Sequence, residues 1–287
     1  MGKPSPSDEA IASLTAELLY ETLPQISFIQ LQEKLSTTLP SAQLTSKGTD
    51  SVFLIAHRDH VFEYQGGQRV AGQTLITVGK PISLSEFNGA LDQTWDWSEA
   101  RNLVAKAKHR LIVTEWMAGM FNPANRVDMF FTVLSLVSEM AKPLCIHFGH
   151  AERIVDPALI QASKDNFTKL KTGFLNVRLF RIEGEPDVMV MDTRGLAVFD
   201  LPDLQIHFQT LEPSQVAAML YNTAVYIYEN GDCIKDGHTV QGLSADHRWR
   251  CQHEESLVGP KRIVLDIDPG EPFAAGKRNS ATKDARS

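Results

Sequence analysis

The sequence predicts an α+β protein in which helices cover mainly antiparallel sheets. Helical and strand-like patterns alternate along the whole chain, and most strand-like runs are joined by short turns instead of long crossovers. The first half reads strand-helix-strand-strand-helix-strand, an order that allows two ferredoxin-like (split βαβ) halves. The 287 residues, 43% of them hydrophobic, suffice for one large domain or two of ordinary size.

The first elements follow from periodicity. Residues 15–21 read as a strand or a short helix, and residues 27–39 have apolar positions at helical spacing. Two runs rich in β-branched and aromatic residues, 51–65 and 69–82, flank Gly66-Gly67, which predicts a hairpin.

Helix starts are marked by capping residues in the middle of the chain. Ser83 with Glu86, and Asp96 with Glu99, have the spacing of a capping box, and they predict two helices before a strand at 109–117. Asn122 followed by Pro123, and Asp156 followed by Pro157, supply an N-cap and a first-turn proline. Those pairs predict a long apolar helix over 123–141 and a shorter one from 157, with a buried strand at 142–149 between them.

The last third predicts three strands, one helix and a tail. Strand-like runs at 174–182, 187–199 and 203–211 are broken by Gly and Pro, Pro213 opens a helix, and Gly231 stands where a left-handed residue would end it. The domain organisation we expect is a disordered segment at 1–9, α+β halves at 10–120 and 121–273, and a flexible basic tail at 274–287.

Composition argues against several classes of function. The net charge of −7 and the pI of about 5.7, without a basic stripe, argue against nucleic-acid binding. Three cysteines without a C-x-x-C pair indicate a reducing compartment, and no apolar run approaches the roughly 18 residues that span a bilayer. We expect a cytoplasmic protein with no membrane contact. The common nucleotide-binding, esterase and metalloprotease motifs are missing from the sequence, and we expect no cofactor.

Three segments carry a resemblance to a known family. They are "DTRGLAVFDLPDLQI" (192–206), "AVYIYENGDCIKDGHTVQG" (224–242) and "VLDIDPGEPF" (264–273). Together with the strand "HRLIVTEWM" and the long apolar helix, they resemble the bacterial family called domain of unknown function 4261, over roughly residues 15–273. The resemblance implies a shared domain and no particular activity.

A polar turn near residue 237 is open to two interpretations. Asp236-Gly237 is typical of a type I′ turn, which predicts a compact hairpin of residues 232–235 with 238–242 and places His238 and Thr239 on opposite faces. The alternative is a hydrolase-like or metal-assisted enzyme, since a histidine can act as an acid or base near pH 7. Its site would combine Asp236, His238 and Thr239 with Arg194, joined by the neighbouring Asp192 and Thr193.

Cys145, His147 and His150 form the most metal-like cluster in the sequence. Cys145 and His147 would share one face of a strand, and the chain can bend back at Gly149. A buried strand that ends in an exposed histidine turn explains the same residues, because a free cysteine commonly behaves as a small hydrophobe. We therefore expect no metal.

The leading hypothesis is a non-catalytic protein that binds another protein, of an adaptor or immunity type. It rests on the lack of a convergent catalytic set and on sheets with usable edges. Aromatic and methionine side chains are enriched at interaction surfaces, and the candidate binding residues of this kind are Trp95, Trp97, Trp116, Met117, Met120 and Phe121.

Overall fold

A computed structural model describes residues 13–45, 52–63 and 66–276. The predictions for residues 1–9 and for 277–287 lie outside the described residues. Ala274, which was predicted to begin the tail, forms a β-bridge with Phe208 instead. The described chain therefore has sheet contacts beyond residue 273, where the tail was expected to begin.

The chain divides into two compact units. The first comprises residues 1–176 and 194–200, and the second comprises residues 177–193 and 201–287. The boundary predicted near residue 120 lies within the first unit. The reason is that the helix after residue 120 packs on strands that precede it, and that Arg126 on this helix forms a buried ion pair with Glu115.

The first unit contains a seven-stranded sheet in which every strand pair of the described chain is antiparallel. The strand order is β2-β3-β4-β5-β1-β6-β7. In a split βαβ unit, one strand lies between the two connected strands and is antiparallel to both. Because β1 lies in this way between β5 and β6, the sheet contains a split βαβ arrangement, as the sequence predicted. The strands are β1 (Thr15–Tyr20), β2 (Ala42–Leu44), β3 (Val52–Glu63), β4 (Arg69–Val78), β5 (His109–Trp116), β6 (Cys145–Phe148) and β7 (Arg153–Val155).

Helices of the first unit begin where the caps predict. Asn122 accepts a hydrogen bond from the Asn125 N–H at 2.9 Å and Asp156 accepts one from the Ala158 N–H at 2.8 Å, each just before a first-turn proline. Asp96, in contrast, does not cap a helix but pairs with Arg153 at 2.7 Å. The helices are α1 (Phe28–Thr38), α2 (Asn88–Asp92), α3 (Ala100–Lys106), α4 (Pro123–Ala141), α5 (Pro157–Ala162) and α6 (Asn166–Lys169).

The described residues of the second unit form a six-stranded sheet and one α-helix. The strand order is β11-β12-β13-β10-β9-β8, and only β10 and β13 pair in parallel. Side chains alternate along β10, where Leu204, Ile206 and Phe208 enter the apolar core. The elements are β8 (Asn176–Ile182), β9 (Glu185–Arg194), β10 (Asp203–Gln209), α7 (Pro213–Asn230), β11 (Thr239–Gln241), β12 (Arg248–Glu255) and β13 (Ile263–Asp268).

A buried ionic network holds the second sheet together on its polar face. Asp192 accepts from Arg178 at 2.8 Å and from Arg262 at 2.7 Å, and Arg262 also donates to Asp203 at 3.2 Å. Arg178 donates to the Gly259 carbonyl at 2.9 Å, so the loop before β13 is tied to β8. Buried charges are stable only when they are paired and hydrogen-bonded, as these are.

The α+β class predicted from the sequence is confirmed, with seven helices and two mostly antiparallel sheets among the described residues. No helix in the described ranges has both the length and the apolarity to cross a membrane.

Candidate functional site

A groove in the second unit separates helix α7 from strand β11. Its cavity volume is about 780 Å³, within the range typical of ligand sites. The helix supplies Gln215, Ala218, Met219, Asn222, Thr223 and Tyr226, and the opposite wall consists of Cys233, Ile234 and residues 238–243.

The helical wall is one stripe of α7. Its residues recur at intervals of three and four, which places them on one side of the helix, next to the core side formed by Val216, Leu220 and Ile227. Met219 is nearly buried at the base, whereas the Tyr226 side chain is 52% exposed at the mouth. The wall therefore combines an apolar floor with polar and aromatic groups above it.

The other wall is a sheet edge, because β11 is the outermost strand at this end of the second sheet. The His238 carbonyl accepts from the Cys251 N–H at 2.8 Å, and the Gly242 N–H donates to the His247 carbonyl at 3.2 Å. Alternate residues of an antiparallel strand turn their backbone groups to opposite sides. Thr239 and Gln241 therefore direct their N–H and C=O groups to the outer edge, where the described residues supply no further strand.

The turn before β11 is anchored to β12 through His253. Asp236 accepts hydrogen bonds from the backbone N–H and from Nδ1 of His253, each at 2.8 Å. The backbone bond is the main cause that lowers the pKa of Asp236. Asp232 lies 3.7 Å from the other ring nitrogen of His253. The loop that forms part of the groove wall is thus held in place by two carboxylates and one imidazole.

The predicted type I′ hairpin is wrong in its details. His238 N–H donates to the Lys235 carbonyl at 2.9 Å, and of the two central residues only Gly237 has a positive φ, of +83°. A positive φ at the second central residue alone is the signature of a type II turn. Residues 232–235 form no strand, and β11 pairs with β12 instead. Asp236 and Gly237 are still the central residues of a turn, as the structural interpretation predicted.

His238 is held in one tautomer. Its Nδ1 accepts a hydrogen bond from the Lys235 N–H at 3.2 Å, so the proton of a neutral ring lies on Nε2. In that state Nε2 can donate a hydrogen bond but cannot remove a proton. Asp236, the carboxylate nearest to His238 in the enzyme hypothesis, bonds to His253.

The remaining residues of the enzyme hypothesis have structural partners. Asp192 and Thr193 are fully buried, the former in the ionic network and the latter accepting from the Leu204 N–H at 2.8 Å. Arg194 lies with the first unit and is 3.6 Å from Glu152. Of the enzyme candidates, His238 and Thr239 line the groove.

The aromatic and methionine residues do not form one patch. Trp95, at 65% exposure, and Trp97 lie beside β7, where Trp97 packs against a core cluster that includes Cys145. Trp116 ends β5, which lies three strands away from β7 in the sheet order.

The rest of that set lies near the end of β5. Phe121 packs edge-on against Phe62 of β3, with ring centroids 5.4 Å apart. Met117 adopts a left-handed backbone with φ +55°, and Met120 is 67% exposed. The group that could act as a surface is therefore Trp116 to Phe121, without the two earlier tryptophans.

The cysteine and histidine cluster is not arranged for a metal. Cys145 and His147 share a strand face as predicted, but burial raises the pKa of the Cys145 thiol to about 12 and His147 bonds to Glu17 at 2.9 Å. His150 stacks on Phe174, with ring centroids 5.5 Å apart. Among the described residues, no group of three or more His, Cys, Asp or Glu side chains could hold a metal ion.

Sequence reasoning missed the helical wall of the groove. Gln215, Asn222 and Tyr226 interrupt an otherwise apolar helix at spacings of seven and four, which places them on one stripe. The polar stripe is visible in the sequence, and it indicates that α7 has a second surface next to the one that packs in the core.

The fold and the groove define an α+β protein with a helix-and-edge-strand cleft in its second unit. Residues 192–268 match the model of a family described as Domain of unknown function (DUF4261), which confirms the resemblance for that segment. The match contains every residue that lines the groove. No curated protein and no solved structure matches the chain.

Proposed function

We propose that this protein acts by binding another protein, an extended segment of which adds to β11 as a further strand in the groove. The observation that carries the proposal is the outward direction of the Thr239 and Gln241 backbones, opposite the polar stripe of α7. Strand addition to an exposed sheet edge is a recurrent mode of peptide recognition, in which main-chain bonds provide affinity and side-chain pockets provide specificity.

The free energies of the expected hydrogen bonds indicate a moderate affinity for the added strand. Two edge residues offer four backbone groups, and each net hydrogen bond contributes about 0.5–1.5 kcal/mol, or about 2–6 kcal/mol together. Micromolar binding needs about 8 kcal/mol. Contacts with Tyr226, Met219 and the amides of Gln215 and Asn222 would have to supply the difference, which is reasonable for a groove of this volume.

The state of His238 favours binding over catalysis. Its Nε2–H is available to donate to a ligand carbonyl, whereas the lone pair that a general base needs is already engaged at Nδ1. A binding groove without a catalytic set suits an adaptor or immunity-type protein, and such a role is part of the proposal.

The test is a selection of random twelve-residue peptides, displayed on phage, against the immobilised full chain. Enriched peptides are resynthesised and their Kd is measured by fluorescence anisotropy, with an expected value on the order of 1–100 µM. Gln241→Pro should weaken binding at least about tenfold, because it removes an outward N–H and places a ring on the edge.

The matched control is Gln241→Val, which changes the same side chain but keeps the N–H. It should leave the Kd within about threefold, and both variants should unfold within a few degrees of the parent, since β12 does not use that N–H. Peptides that bind Gln241→Pro as tightly as the parent would refute strand addition.

A further inference from the structure

We propose that the segment that occupies the groove carries a net positive charge, an inference that rests on the proposed function. Between residues 212 and 246 the chain has five acidic residues and one lysine, a net charge of −4. The acidic residues are Glu212, Glu229, Asp232, Asp236 and Asp246. This segment contains all the groove-lining residues, so the part of the chain that forms the groove has a net negative charge.

Nearby cations do not cancel this charge. Lys235 is engaged by Asp232 at 3.0 Å. On β12, the guanidinium of Arg248 donates to the carbonyls of Ala245 and His247, and Arg250 lies next to Gly237. If both arginines are counted, the region still has a net charge of −2.

All five acidic residues are exposed and lie within three positions in the chain of a groove-lining residue. Glu229 follows Tyr226 by one helical turn on the same stripe of α7 and is exposed. The side chains of Asp232 and Asp236 are 40% and 63% exposed. Exposed charges of one sign act mainly on the rate of association and on partner choice, and salt screens them.

The probes are two synthetic nine-residue peptides of alternating Thr and Val, acetylated and amidated, in which three Thr are replaced by Lys or by Glu. Anisotropy at 50 mM and 500 mM salt measures their Kd on the full chain. We expect the Lys peptide to bind at least about tenfold tighter at low salt, with the ratio falling below about threefold at high salt.

Charge reversal at the groove provides the variant. Glu229→Lys combined with Asp246→Lys should weaken the Lys peptide about fivefold or more at low salt and strengthen the Glu peptide. The control is Glu183→Lys in the turn between β8 and β9, at the opposite end of the same sheet, which should change neither Kd by more than about twofold.

Each other outcome overturns either the charge preference or the proposed partner in a recognisable way. Equal binding of the two peptides, abolished by Gln241→Pro, would remove the charge preference and leave the groove as a strand-addition site. An equal loss with Glu183→Lys would assign the effect to the overall charge of −7. A tenfold tighter Lys peptide after deletion of residues 277–287, which carry four basic residues, would identify this chain's own segment as the occupant. If neither probe binds and the phage selection also yields no peptide sensitive to Gln241→Pro, the proposed function itself fails.

Discussion

At the scale of single residues, two buried histidines are set to respond to acid. His57 is buried and bonds to Thr74 Oγ1 at 2.8 Å, and burial lowers its pKa to about 4. His150 keeps both ring nitrogens away from solvent and without hydrogen-bond partners, against Phe148 and Phe174, and burial lowers its pKa to about 3. Both rings are therefore neutral in the folded protein at pH 5, whereas in the unfolded chain they are protonated below about pH 6.5.

The first prediction concerns His150 and pH. Since its folded pKa lies below the unfolded one, the stability contribution is complete above about pH 6.5 and declines as the pH falls toward 3. From pH 7.5 to 5 this histidine alone should cost about 2 kcal/mol of unfolding free energy. His150→Phe should reduce the loss between those pH values by about that amount, as measured by urea denaturation. A variant with the same pH dependence as the parent would contradict the assignment.

At the scale of elements, turns decide how strands and helices are joined. Gly195, between β9 and the 3₁₀ helix Leu196–Phe199, has a φ of +130°, and a Cβ there would lie 1.8 Å from the Phe174 carbonyl oxygen. Gly184, in the turn between β8 and β9, has a φ of +83° with open space around it. The two glycines share a backbone conformation that side chains rarely adopt but differ in their surroundings.

The second prediction separates backbone strain from steric overlap. Gly184→Ala should cost about 1 kcal/mol, from the left-handed backbone alone. Gly195→Ala adds a collision with main chain that cannot rotate away, so we expect a loss of more than about 3 kcal/mol or failure to fold. Thermal unfolding of the two variants measures the difference. Equal melting temperatures would show that the close approach at Gly195 is relieved at no cost.

At the scale of the whole molecule, a buried carboxylate in each unit joins segments that are far apart in the sequence. In the first unit, Glu115 accepts hydrogen bonds from the Leu14 N–H, 101 positions away, and from Arg126. In the second, Asp192 links Arg178 and Arg262, and it is completely buried. A buried carboxylate between two guanidiniums cannot lose its charge without leaving the arginines partly unpaired.

The third prediction tests that network. Asp192→Asn should destabilise the second unit by about 3–5 kcal/mol, because an uncompensated buried charge remains. The control is Asp187→Asn on the same strand, an exposed site where we expect a change within about 0.5 kcal/mol. Hydrogen exchange of peptides from β10 and β13 reports the loss. Unchanged protection in Asp192→Asn would show that water or rearrangement replaces the ion pairs.

The sequence indicated most elements and little of the site. Caps at Asn122 and Asp156, the hairpin of β3 and β4, and the end of α7 at Gly231 are local events, and the structure has them where the pattern predicted. His238 and Thr239, two candidate site residues of the sequence, do line the groove. His238 closes the turn before β11, and Thr239 begins that edge strand. The helical wall of the groove was missed, because the stripe on α7 gains meaning only when β11 lies opposite.

The sequence by itself determined the elements and the α+β class, since hydrophobic period and capping depend on residues only a few positions apart. Tertiary structure alone decided that the chain divides at residue 176, that Asp192 is buried between arginines and that β11 ends a sheet. These outcomes depend on pairings between segments tens of residues apart, such as Arg178 with Gly259, and no local pattern specifies them.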